Sequence, residues 1–225
     1  MQPAGEPQPA ESILRVNEPA PDFEATTTHG PRKLADYRGK WLLLFSVQAD
    51  FRPACATEFL AFAHHYEAFQ KLNCELLALS VDSVGSHLAW MFNIKEKFGV
   101  TLPFPIIADS ARKVASAYHM IVRLPTGGMS VGRTTYLIDD KSVLRGMMHN
   151  PVRVGRSVAE ILRLLEAVQT VDTHNVATPE GWQPGDKVIL PPPKTIEDAA
   201  SRQEKGFECV DWYFCKKEVA GGPNG

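Results

Sequence analysis

Two uninterrupted apolar runs constrain this chain more than any other feature. The first is WLLLFSV, residues 41–47, and the second opens CELLALSVD, residues 74–82. Each is strand-length and lacks polar alternation, so each predicts a strand buried on both faces. Between them Phe59, Phe62, Ala63, Tyr66 and Phe69 recur at helical spacing, which predicts a helix over 57–72. Buried strands alternating with amphipathic helices imply an α/β layered domain built on a mixed sheet.

The pattern continues downstream. Residues 86–98 read as a helix, FPIIAD (104–109) as a short strand, and 110–119 as another helix. Residues 134–139 and 142–148 are two strands with a turn signal between them, a hairpin. Residues 157–171 form an amphipathic helix. The ends differ. Residues 1–12 are polar and Pro-rich, and are expected to be a disordered tail. The main domain is placed at 13–177 and an extension at 178–225. That extension begins with Pro179, Pro184, Pro191, Pro192 and Pro193, a composition that wraps a surface. It continues with a short helix over 196–205 and then GFECVDWYFC, too apolar for a free tail and expected to pack on a neighbour or another subunit.

A formal net charge of -2 asks for neither nucleic acid nor an anionic membrane. No apolar run approaches the ~18 residues of a membrane span. The N-terminus has no basic start and no apolar stretch, so no secretory signal is expected and the cytoplasm is the expected location. There are four cysteines: Cys55, Cys74, Cys209 and Cys215. In a reducing compartment these read as free thiols, ligands or catalysts, and zinc-ligand spacing is absent, so no metal is expected.

Cys55 stands apart. It follows a strand and a short loop, comes after a proline, and opens a helix. A helix N-terminus offers unpaired N–H groups and partial positive charge, both of which favour the nucleophilic thiolate. Arg52 adds a cation nearby. Cys74, at the entrance of a buried strand, reads as an inert core residue. His64 and His65 read as solvated.

FSVQADFRPACATEF (45–59) resembles the peroxidatic loop of peroxiredoxins, whose motif is Pro-x-x-x-Thr-x-x-Cys. PDFEATTT, LADYRGKWLLLFS, LSVDSVGSHLAW, PFPIIAD and NPVRVGRSVAEILR are similar to the family in the same order. VILPPPKTIEDAASRQEKGFECVDWYFC (188–215) resembles the extension of the peroxiredoxin 6 branch in its long prokaryotic form. The resemblance implies a thioredoxin-like fold and a thiol-dependent peroxidase with no metal, haem or flavin cofactor. It implies that Cys55 attacks a peroxide and becomes a sulfenic acid. Arg133, six residues before Asp139, is similar to the arginine that pairs with the thiolate. Glu58 matches the Glu after the motif cysteine and Arg156 a second family arginine that is its partner. Trp90 matches an aromatic near the thiol pocket. Cys209 is implied to resolve the sulfenic acid from a partner subunit, with Cys215 as a second redox thiol. The implied partners are a peroxide, a thiol electron donor and a second copy of the chain, as a homodimer or a decamer or larger ring.

Three family positions are changed. The motif Pro is Gln48, the motif Thr is Arg52, and the His before that Pro is Val47. A Thr hydroxyl both donates and accepts hydrogen bonds, whereas Arg only donates. Arg52 therefore cannot take up the peroxide proton. It either strengthens the thiolate, binds an anionic group of a substrate, or points to solvent. Three functions stay open on these residues: a peroxidase weakened by Gln48 and Arg52, a repurposed enzyme for a dedicated anionic small molecule, and a non-catalytic redox-sensing or scaffold oligomer.

Overall fold

The computed structural model describes residues 13–124, 127–202 and 206–219, so the N-terminal tail lies outside the described residues. Near the N-terminus β1 (Glu24–Thr27) and β2 (Gly30–Lys33) form a hairpin, and β3 (Trp41–Ser46) follows. Next come α1 (Pro53–His64), α2 (Tyr66–Lys71), β4 (Cys74–Ser80) and α3 (Val84–Phe98). Then follow β5 (Ile106–Ala108), α4 (Lys113–Ala117), and the β6 (Ile121–Arg123) and β7 (Met129–Val131) pair. A second hairpin, β8 (Arg133–Ile138) and β9 (Leu144–Asn150), leads into α5 (Val158–His174). The extension holds β10 (Val188–Ile189), α6 (Ile196–Ser201), β11 (Glu208–Asp211) and β12 (Phe214–Lys217).

Seven strands make one mixed sheet in the order β2-β1-β5-β4-β3-β8-β9. The two apolar runs lie side by side at its centre, β3 parallel to β4 with Leu43 opposite Leu76. Side chains alternate across a strand, so each run feeds two cores. Leu43, Phe45, Leu76 and Ala78 pack with α1, α3 and α5; Leu42, Leu44, Leu77 and Leu79 pack with Tyr118 and Tyr136 on the other face. That division is why neither run could carry a polar alternation.

Some boundaries differ from the sequence expectation. The helix expected over 57–72 starts earlier, at Pro53, where a missing N–H costs nothing. It also breaks at His65 (φ -97°, ψ 6°) into α1 and α2. The helix expected over 110–119 shrinks to α4. The Asp109 carboxylate accepts from the backbone N–H groups of Lys113 and Ala115, and so caps the chain only from that point. In the extension the expected helix covers Ile196–Ser201. Patterning did not reveal the small sheet β10-β12-β11, whose strands are too short to show a period. Trp182 and Val188 dock this part onto Ala167 of α5. Among the described residues no helix is long and apolar enough to cross a membrane.

Candidate active site

Cys55 is the third residue of α1. Arg52 is the N-cap, Pro53 follows, and the Ala56 N–H closes the first turn onto the Arg52 carbonyl at 2.9 Å. The loop from β3 to this turn is clamped at Asp50. Its N–H donates to Asp82 Oδ2 at 2.8 Å, and its two carboxylate oxygens lie 2.9 and 2.8 Å from His87 Nδ1. His87 Nε2 faces the Ile107 carbonyl at 3.3 Å. Both ring nitrogens thus meet oxygen atoms. The pair is buried. Sequence reasoning missed it, although one signal was present: His87 shares the buried face of α3 with Trp90 and Ile94. Between clamp and helix, Phe51 is exposed and held at φ 57°, a left-handed conformation unfavourable for an aromatic residue.

Glu58, one turn after Cys55 on α1, is buried and organises two arginines. Its Oε1 accepts from the Arg156 backbone N–H at 2.8 Å and from Arg156 Nε at 3.0 Å. Its Oε2 accepts from Arg156 Nη2 at 2.8 Å and from Arg133 Nη1 at 2.5 Å. Arg133 Nε donates to the Val152 carbonyl at 2.8 Å, and its Nη2 carries no hydrogen bond to a described residue. Arg156 also lies over the Phe45 ring, 5.2 Å from its centroid. The expected Glu58–arginine contact is therefore present twice, to Arg156 and Arg133. Glu58 itself sits behind the site rather than in a substrate pocket, because four donors already saturate it. Removing the carboxylate would strand two buried cations.

The Cys55 thiol is 0% exposed, packs within the core cluster, and has no hydrogen bond to a described residue. Arg133 is bonded to Glu58 and the Val152 carbonyl, not to Cys55. Next to the turn lies a cleft of about 580 Å³. Gln48 and Arg52, the two altered motif positions, both line it. Arg52 is exposed and forms no ion pair with a described residue.

The other cysteines separate clearly. Cys74 is buried at the start of β4, and burial pushes its thiol well above the usual range. Cys209 and Cys215 sit directly opposite each other in the β11–β12 hairpin and are joined in a disulfide within one chain. In this state neither offers the free thiol expected of a resolving residue. Trp90 packs against Phe59 with ring centroids 4.7 Å apart. His64 and His65 are exposed. No group of three or more His, Cys, Asp or Glu able to hold a metal occurs among the described residues.

The geometry has parallels in known proteins. Residues 16–147 match the AhpC/TSA family, and residues 167–206 match the C-terminal domain of 1-Cys peroxiredoxin. A peroxiredoxin of Aquifex aeolicus is 51% identical over 219 residues, covering 92% of this chain and 98% of the relative. Peroxiredoxin 2 of Caldanaerobacter subterraneus is 46% identical over 213 residues, covering 94% and 96%. A solved yeast mitochondrial 1-Cys peroxiredoxin superposes with a TM-score of 0.82 at 38% identity, covering 92% of this chain and all of that one. A cysteine-to-serine variant of the peroxiredoxin 6 of Arenicola marina gives 0.77 at 34% identity, covering 84% and 89%. The mixed sheet is accordingly of the thioredoxin-like type. The chain belongs to the peroxiredoxin family of thiol-dependent peroxidases, in its AhpC/TSA group, with a C-terminal domain of the 1-Cys type.

Proposed function

We propose that Cys55 is the peroxide-reducing thiol, that Arg133 stabilises the reacting charge, and that the Cys209–Cys215 pair returns Cys55 to its reduced state. The observation that carries this is the first turn of α1: a cysteine at its third residue, with the Arg133 guanidinium anchored on Glu58 one turn further along. The Cys55 thiolate attacks the terminal oxygen of hydrogen peroxide or an organic hydroperoxide. An S–O bond forms, the O–O bond breaks, and water or an alcohol leaves after taking a proton. Cys55 is then a sulfenic acid. The free Nη2 of Arg133 supplies a fixed donor for charge that develops in this step.

Cys55 is covered in the described state, so attack requires local opening of its turn. The unfavourable backbone at Phe51 lowers the cost of that opening. Resolution uses both C-terminal thiols. The Cys209 thiolate attacks the sulfenic sulfur, water leaves, and a Cys55–Cys209 disulfide forms. The Cys215 thiolate then attacks the Cys209 sulfur and frees the Cys55 thiolate. The product is the Cys209–Cys215 disulfide, which an external thiol donor reduces by exchange. The yeast relative is described as resolved through glutathione/thioredoxin systems, and donors of that kind fit here. Cys209 arrives from a partner subunit in a homodimer, which assembles further into a ring. A reducing cytoplasm suits the free Cys55 and Cys74.

Stopped-flow mixing of the reduced protein with hydrogen peroxide tests the reading. Rapid Cys55 oxidation followed by the Cys209–Cys215 disulfide is expected, and Cys55→Ser abolishes both. Oxidation no faster than a free thiol would overturn it. A dimer that shows no Cys55–Cys209 cross-link in a Cys215→Ser protein would overturn the resolving step alone.

A further inference from the structure

Resting on the peroxidase reading, we propose that the cleft at the foot of α1 selects hydroperoxides bearing a carboxylate on an apolar body. Three arginines line this one cavity of about 580 Å³: Arg52 at the N-cap of α1, Arg123 at the end of β6, and Arg153 in the loop after β9. None of the three guanidinium groups forms an ion pair or hydrogen bond with a described residue, and no described Asp or Glu lines the cavity with them. Of the surface arginines elsewhere, Arg145 holds Asp172 through two hydrogen bonds and Arg163 holds Glu160 in the same way, whereas Arg38 and Arg112 have no side-chain partner among the described residues but do not line this cavity with the cleft arginines. Three uncompensated cations converging in a concavity create a local positive potential in a chain whose net charge is -2.

Hydrogen peroxide has no use for such a site. It is neutral and small, whereas this cavity is in the size range of organic ligands. Val122, Leu124 and Val152 give the cavity an apolar wall suited to a hydrocarbon body. A carboxylate fits the guanidinium fork by paired N–H···O bonds. With the head held by the arginines, the remainder of the molecule extends toward the first turn of α1, where Cys55 lies three residues beyond Arg52. On this reading Arg52 has exchanged the hydrogen-bonding role of the motif Thr for recognition of an anionic head group.

Binding is tested apart from turnover. Calorimetric titration of the full chain with octanoate, octanol and inorganic phosphate should show octanoate binding at least about tenfold tighter than octanol, a charge-assisted hydrogen bond's worth. That preference should weaken as salt rises and fall about tenfold in Arg153→Gln, with Arg153→Lys restoring part of it. Octanoate no tighter than octanol overturns the proposal. Phosphate tighter than octanoate also overturns it and reassigns the cleft to phosphate esters. In stopped-flow, carboxylated cumene hydroperoxide should oxidise Cys55 about tenfold faster than cumene hydroperoxide, and Arg123→Gln with Arg153→Gln should bring the ratio toward one. Equal rates in the unmodified protein overturn the selection. No oxidation by either compound or by hydrogen peroxide overturns the peroxidase reading instead, and the calorimetry still decides the cleft.

Discussion

Two sets of arginines flank the Cys55 turn, and they differ in what satisfies them. Arg133 and Arg156 are buried and share the Glu58 carboxylate, with backbone carbonyls taking further N–H groups. Arg52, Arg123 and Arg153 are exposed, line one cleft, and hold no carboxylate. A guanidinium removed from water must bring its counter-charge with it, so the first set is scaffold, and the catalytic part proposed for Arg133 is additional to that. A guanidinium left in contact with water needs no partner to be stable, so the second set is free for a ligand. The same residue type therefore carries opposite information according to burial and pairing.

The sharpest way to break this comparison is Glu58→Gln. It leaves two buried cations with no carboxylate and should cost about 3–5 kcal/mol in urea unfolding. A loss below about 1 kcal/mol would mean that the network behaves like a surface pair. Next, Arg133→Met keeps the Glu58–Arg156 pair and should slow Cys55 oxidation by hydrogen peroxide about 100-fold in stopped-flow, as expected for one lost donor to developing charge. An unchanged rate would leave Arg133 a structural residue only.

A smaller effect is expected where the two sets meet the motif. Restoring the family residues with Gln48→Pro and Arg52→Thr should raise the hydrogen peroxide rate about tenfold, the worth of a regained acceptor. The same change should reduce the preference for a carboxylated hydroperoxide. If both rates rise equally, Arg52 takes no part in selection. The smallest effect belongs to Arg153→Gln, which should shift unfolding by less than about 0.5 kcal/mol because no folded-state partner is lost. A larger shift would mean that the open set is structural after all.

Part of the candidate site was legible in the sequence. Cys55, Arg133, Glu58 and Arg156 stand at positions that match a family, and Glu58 meets both arginines. The altered motif was legible too, since Gln48 and Arg52 depart from a short pattern. The Asp50–His87 clamp was not, because its partners are 37 positions apart and each alone reads as an ordinary polar residue. The Cys209–Cys215 bond was not legible either. Their spacing is short, but the chain between them first had to turn as a hairpin to oppose them.

The amino-acid sequence by itself determined the central strands, the helix opening on Cys55, and the lineage. These depend on local patterning: continuous apolar runs, helical spacing, and a proline at a helix start. Only the tertiary structure decided which arginines are spent and which are free. Arg133 and Arg123 are ten positions apart and chemically identical in sequence, yet one lies under Glu58 and the other lines an open cleft. Burial and pairing are long-range properties set by what the folded chain brings alongside each residue, and no local pattern encodes them.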